Sequence, residues 1–132
     1  MIKGSYSALN CYYLSLIDTD FAKQQFQILK KYFKQTLPLI VGVKEYHSGK
    51  CLFGLDIDAG PIVFGLSPSG TGFAIGTATM CNDSKFRKQL LRTAEIAGST
   101  VSYNGKSHYL LANVALVGEA IILAMRTNKK AM

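Results

Sequence analysis

The chain has 132 residues, 48% of them apolar and only 17% charged, which excludes disordered, collagen-like and coiled-coil classes. One domain over 1–132 is expected, because a chain of this length buries roughly two-thirds of its unfolded surface without disulfide or metal staples. Fifteen Lys and Arg against eight acids give a formal charge of +7, so the question is where the basic residues sit.

They gather in three places: Lys23, Lys30, Lys31 and Lys34; Lys85, Arg87, Lys88 and Arg92; and the tail with Arg126, Lys129 and Lys130. No aromatic-interleaved basic run occurs, so the pattern reads as solvated helix faces and names no nucleic-acid partner. Contact of these faces with an anionic membrane surface is the peripheral alternative.

Along the chain, 8–17 is apolar nearly all round and uncharged, and reads as an inner helix. Asp18-Thr19-Asp20 offers caps for an amphipathic helix with Phe21, Ala22, Phe26, Leu29 and Phe33 at helical spacing, ending near Pro38. Residues 37–60 lack a helical period and read as a long loop, with short strands at most.

The stretch 61–80 is uncharged and rich in glycine, and Ser67-Pro68 marks the start of a helix suited to a crowded centre. Asn82-Asp83-Ser84 caps a second amphipathic helix with Phe86, Leu90, Leu91, Ala94 and Ala97 inward and Gly98 as its stop. Asn104-Gly105 signals a small β-hairpin. A last apolar helix, 110–126, carries a single acid, Glu119.

The expected fold is therefore all-α, with inner and outer helical hairpins in alternation, a long loop and one small β-hairpin. Residues 59–82 are long and uncharged enough to span a bilayer. Basic residues come after both this stretch and the last helix, however, and the only segment available for a return crossing, 84–98, is charged, which argues against membrane spanning. The amino-terminal Met-Ile-Lys-Gly-Ser lacks the pattern of a secretion signal, so a cytoplasmic location is expected.

Gly54-Leu55-Asp56-Ile57-Asp58-Ala59-Gly60-Pro61, followed by Gly65-Leu66-Ser67-Pro68-Ser69-Gly70-Thr71-Gly72-Phe73-Ala74-Ile75-Gly76, resembles the last third of bacterial (α/α)-toroid proteins akin to linalool dehydratase/isomerase. The resemblance extends from Ser5 to Asn128. It implies part of an (α/α)6 toroid, a carboxy-terminal segment, and lyase/isomerase or glycosidase-like acid/base chemistry on a carbohydrate or terpenoid-like molecule. Because a partial ring leaves inner helices uncovered, it also implies self-association or an upstream region that covers them. The resemblance assigns no catalytic residue in this chain, so the site candidates come from the residues themselves.

Asp56 and Asp58, two apart in a glycine-flanked loop, are the catalytic candidates, since paired carboxylates divide acid and base work when their surroundings separate their pKa values. The structural alternative is that both serve in loop closure and in capping a helix that begins near Pro61. Substrate-binding candidates are Tyr46 and His47 in the long loop, Tyr12 on the first inner helix and Glu119, whose alternative is a bond to Arg126 or a nearby hydroxyl. Acid/base work on a neutral substrate needs no cofactor. Cys11, Cys51 and Cys81 form no Cys-x-x-Cys pair, and His47 with Cys51 is too few ligands, so no metal is expected. Phosphate-loop and nucleophile-elbow motifs are absent. The second reading is a non-catalytic helical module whose apolar face packs on a partner or on itself.

Overall fold

The computed structural model describes residues 2–48, 51–97, 100–109 and 116–127. Two helices come first, α1 (Gly4–Ile17) and α2 (Thr19–Phe33), with Asp18 between them. Asp18 ends one helix and caps the next: its carboxylate accepts from the N–H groups of Asp20 and Phe21 at 3.1 and 3.0 Å, satisfying donors that the first turn of α2 leaves free.

The segment expected to be a long loop is two hairpins. Strands β1 (Lys34–Thr36) and β2 (Val41–Val43) pair antiparallel, as do β3 (Phe53–Asp56) and β4 (Gly60–Val63). Strands of three or four residues are too short to show a two-residue period, which is why the pattern gives no firm signal there. The chain then runs through α3 (Pro68–Met80), α4 (Ser84–Ala97), the hairpin β5 (Thr100–Tyr103) and β6 (Lys106–Tyr109), and α5 (Leu116–Thr127). Asn104 and Gly105 both take positive φ, 50° and 73°, as a tight two-residue hairpin turn requires.

The all-α toroid expectation is thus corrected. The described residues form a mixed α/β domain of five helices and three two-stranded antiparallel sheets, and two of those sheets stand between α2 and α3. The apolar helices still pack together: α3 contacts α1, α4 and α5, and α1 also contacts α2. Close approach on α3 depends on Gly76, where a Cβ would run into Met125 of α5 and Tyr12 of α1. Ile75, Ala74 and Ala78 on the same helix are fully buried, beside Ala8, Phe26, Phe86 and Leu90.

Strand β2 ties sheet to helices. Its free edge is satisfied by threonines in place of a third strand: Val43 N–H donates to Thr71 Oγ1 at 3.1 Å, and Val41 N–H donates to Thr93 Oγ1 at 2.8 Å. The Thr93 hydroxyl in turn donates to the Val41 carbonyl at 2.6 Å, so these buried backbone groups find partners without a neighbouring strand. Ser67 N–H donates to the Val43 carbonyl, and Ser67 Oγ accepts from Gly70 N–H at 3.0 Å, which fixes the start of α3 against β2. Asp83 caps α4 through Phe86 N–H and holds Lys30 of α2. The expected stop at Gly98 and the residues 110–115 expected in the last helix lie outside the described residues. No helix among the described residues is long and apolar enough to cross a membrane.

Candidate functional site

The polar cluster of the fold forms where the amino-terminal end of the chain meets the two loop hairpins. Lys3 pairs as a single bridge with Tyr46, while Gly4 N–H donates to the Glu45 carbonyl at 2.8 Å. The segment just before α1 is thereby laid beside the residues after β2. A Cβ on Gly4 would collide with the Lys44 carbonyl, so only glycine lets the helix start this close.

Asp56 ends β3, and its Oδ1 accepts from the N–H groups of Asp58 and Ala59 at 3.0 and 3.1 Å, closing the turn to β4. The same carboxylate receives the Lys3 ammonium, 2.8 Å from Oδ2 and 3.1 Å from Oδ1, and the Tyr46 hydroxyl, 2.7 Å from Oδ2. Asp58 Oδ2 lies 3.3 Å from Lys3 Nζ. The Asp56 side chain is 10% exposed against 43% for Asp58. Four donor groups therefore occupy the roughly four lone-pair directions of the Asp56 carboxylate.

These contacts lock Lys3, Tyr46 and Asp56 in their ordinary protonation states. The Lys3 hydrogen bond, outweighing the cost of burial and aided by Tyr46 and two backbone N–H groups, holds Asp56 well below the usual carboxylate range. Hydrogen bonding to Asp56 raises Lys3 and likewise raises Tyr46. Tyr6 on α1, with its ring centre 5.7 Å from Lys3 Nζ, is raised by its hydrogen bond to Asp58 and then by burial. A general acid or base needs a pKa near the working pH. Lys3, Tyr46 and Asp56 are moved the other way, which suits a structural clamp.

The remaining candidates fall in different places. Tyr46 and His47 share a cleft of about 740 Å³ between α1 and α2, lined also by Asn10, Leu14, Ile28 and Tyr32. The His47 ring stands edge-on to Tyr32 and Phe33, with centroids 5.5 and 6.1 Å away. Asp56 and Asp58 are not among the residues lining this cleft, although Tyr46 touches both it and Asp56. Tyr12 turns instead toward α3, against Gly76. Glu119 is placed on α5 by its backbone, and its side chain lies outside the described residues.

Sequence reasoning missed Lys3, Tyr6 and Glu45. Glu45 is fully buried, and its carboxylate accepts from Ser5 Oγ at 2.8 Å and Ser5 N–H at 3.2 Å, so it caps α1 from forty residues away. No local signal marks any of the three, because each acquires its partner only through the tertiary fold. Among the described residues no group of three or more His, Cys, Asp or Glu side chains could hold a metal ion.

Comparison of the chain with protein-family models, with curated proteins and with solved structures gave no match.

Proposed function

We propose that the chain is a non-catalytic interaction module, packing an apolar face on another protein surface or on itself. The observation that carries this reading is what the Lys3–Asp56 clamp supports. It pins the turn of a hairpin on which Phe53, Leu55 and Ile57 are exposed, Ile57 completely. Tyr13, Leu16 and Ile17 of α1 are exposed as well. Single exposed apolar residues are ordinary, whereas groups of them mark interfaces. Lys30 of α2 and Lys34 of β1 are engaged by Asp83 and Gln89, so the reading names no nucleic-acid partner. Its location is the cytoplasm, since Cys11 and Cys51 carry thiols and not disulfides.

Hydroxyl-radical footprinting tests this, comparing the dilute purified chain with the chain inside the cells that make it. The reading expects Phe53 and Leu55, or Tyr13 and Ile17, to be oxidised less in cells than in the dilute chain. Equal oxidation at all four positions would overturn it.

A second reading rests on the cleft. Its volume falls within the roughly 300–1,000 Å³ of small-molecule sites, and it gathers Tyr46 and His47 as the loop residues that would meet a small neutral ligand. Acid/base work there would fall to His47, since the two aspartates do not line it. Under this reading His47→Ala removes binding of a carbohydrate or terpenoid probe, and the absence of any probe binding to the wild-type chain would exclude it.

A further inference from the structure

Helix α1 has no charged residue from Gly4 to Ile17, in a chain of net charge +7. One side of it is spent inside the domain, where Gly4, Ser5, Ala8, Cys11 and Ser15 are buried. The opposite side presents Tyr6, Asn10, Tyr13 and Ile17, all exposed. These four are spaced by four, three and four residues, which is the row that knobs-into-holes packing uses on a paired helix. Four such positions span about 17 Å at 1.5 Å per residue, three turns of a facing helix.

We propose that this row is the interface through which two copies of the chain form a two-fold homodimer, with the two α1 helices antiparallel; the proposal rests on the interaction-module reading above. Charge selects the occupant. A two-fold contact sets each surface against itself, so pairing through the outer faces of α2 or α4 would oppose Lys23 and Lys31, or Lys85, Lys88 and Arg92, to their own copies. The Asp56–Asp58 turn would oppose carboxylates in the same way. The α1 row carries no charge of its own; the Lys3 ammonium and the Asp58 carboxylate lie against Tyr6 at one end, and antiparallel pairing sets that end against Ile17 of the second copy, not against itself.

The antiparallel register that centres the row sets Tyr6 against Ile17 of the second copy and Asn10 against its Tyr13. A polar Asn inside an otherwise apolar row selects one register and one oligomeric state at some cost in affinity.

The test is the solution mass of the full chain, followed by sedimentation over a wide concentration range, with circular dichroism confirming that each variant is folded. The wild-type chain is expected to be a dimer that dissociates on dilution. Tyr13→Asp and Ile17→Asp, both at exposed positions, are each expected to weaken the dimer about 100-fold, a factor of ten for each copy of the lost contact. Leu55→Asp on the β3–β4 hairpin should leave it unchanged. A folded Tyr13→Asp chain that dimerises like wild type, or a dimer dissolved by Leu55→Asp instead, overturns the α1 assignment and leaves the module reading standing. A monomeric wild-type chain that is nevertheless protected in the footprint does the same, whereas a chain with no protection anywhere removes the reading itself.

Discussion

Lys3 Nζ lies 2.8 Å from Asp56 Oδ2, joining positions fifty-three residues apart in the chain. This ion pair makes a candidate catalytic carboxylate the fastening of a hairpin. Its consequence is that changes at Asp56 act on the stability and order of β3–β4.

Asp56→Asn should lower unfolding stability by about 1–2 kcal/mol, the value of charge-assisted bonds discounted for the water that reaches Lys3. Lys3→Met should lower it in the same direction. In both variants hydrogen exchange should speed up at the β3–β4 amides and stay near wild type in the core of α3. Unaltered exchange at the hairpin would mean that the clamp does not hold it.

Acid should loosen the fold through two carboxylates. Asp56 is lowered chiefly by its bond to Lys3, and Asp83 is lowered because the hydrogen bonds from Lys30 and from Phe86 N–H outweigh the burial that opposes its ionisation. A carboxyl whose pKa is lower in the folded state stabilises the fold above its unfolded value, ordinarily 3.8, and that stability is lost as pH falls through the folded value. Denaturant midpoints should therefore be flat above this range and drop below it. The drop should be shallower in Asp56→Asn, and an identical slope in the two proteins would refute the assignment.

Glu45→Gln should be costly although it is nearly isosteric. The buried carboxylate accepts twice from Ser5, whereas an amide keeps one acceptor for Ser5 N–H and turns its NH2 toward Ser5 Oγ, so the charge-assisted bonds are lost and the hydroxyl must reverse. A loss of about 1–3 kcal/mol is expected, with Ser5→Ala losing less because the backbone N–H bond survives. Equilibrium urea unfolding measures both.

Burial, with a smaller contribution from Cys81, pushes the Cys11 thiol up to about 11. In the native protein at neutral pH a disulfide-exchange reagent should therefore modify Cys11, which is buried and poor in the attacking thiolate, after Cys51 and Cys81, which are only half-buried. Mass spectrometry of the partly labelled chain identifies the order, and early modification of Cys11 would contradict the packing of α1 on α3.

Local chemistry is legible in the sequence where it is self-contained. The caps at Asp18 and Ser67, the amphipathic faces of α2 and α4 and the Asn104-Gly105 turn each depend on residues within a few positions of one another. Helix α1 begins four residues before the apolar stretch that signals it, because its cap is Glu45, supplied by a distant segment. Hairpins β1–β2 and β3–β4 carry no periodic signal, and β2 completes its edge with Thr71 and Thr93, contacts that no periodicity encodes. Asp56 and Asp58 stand out as a pair from spacing and flanking glycines alone, with loop closure as one of the two roles that spacing allows. The partner that holds Asp56 in the loop-closing position is Lys3, a lone lysine with nothing in its neighbourhood to mark it.

The most direct measurement of the central claim, that exposed apolar surface on this domain is an interface, is the mass of the wild-type chain by light scattering during dilution. The account predicts twice 14.4 kDa at high concentration, falling toward 14.4 kDa as the chain is diluted. A folded particle of 14.4 kDa at every concentration, with Phe53, Leu55, Tyr13 and Ile17 all as open to oxidation in cells as in the dilute protein, would contradict it.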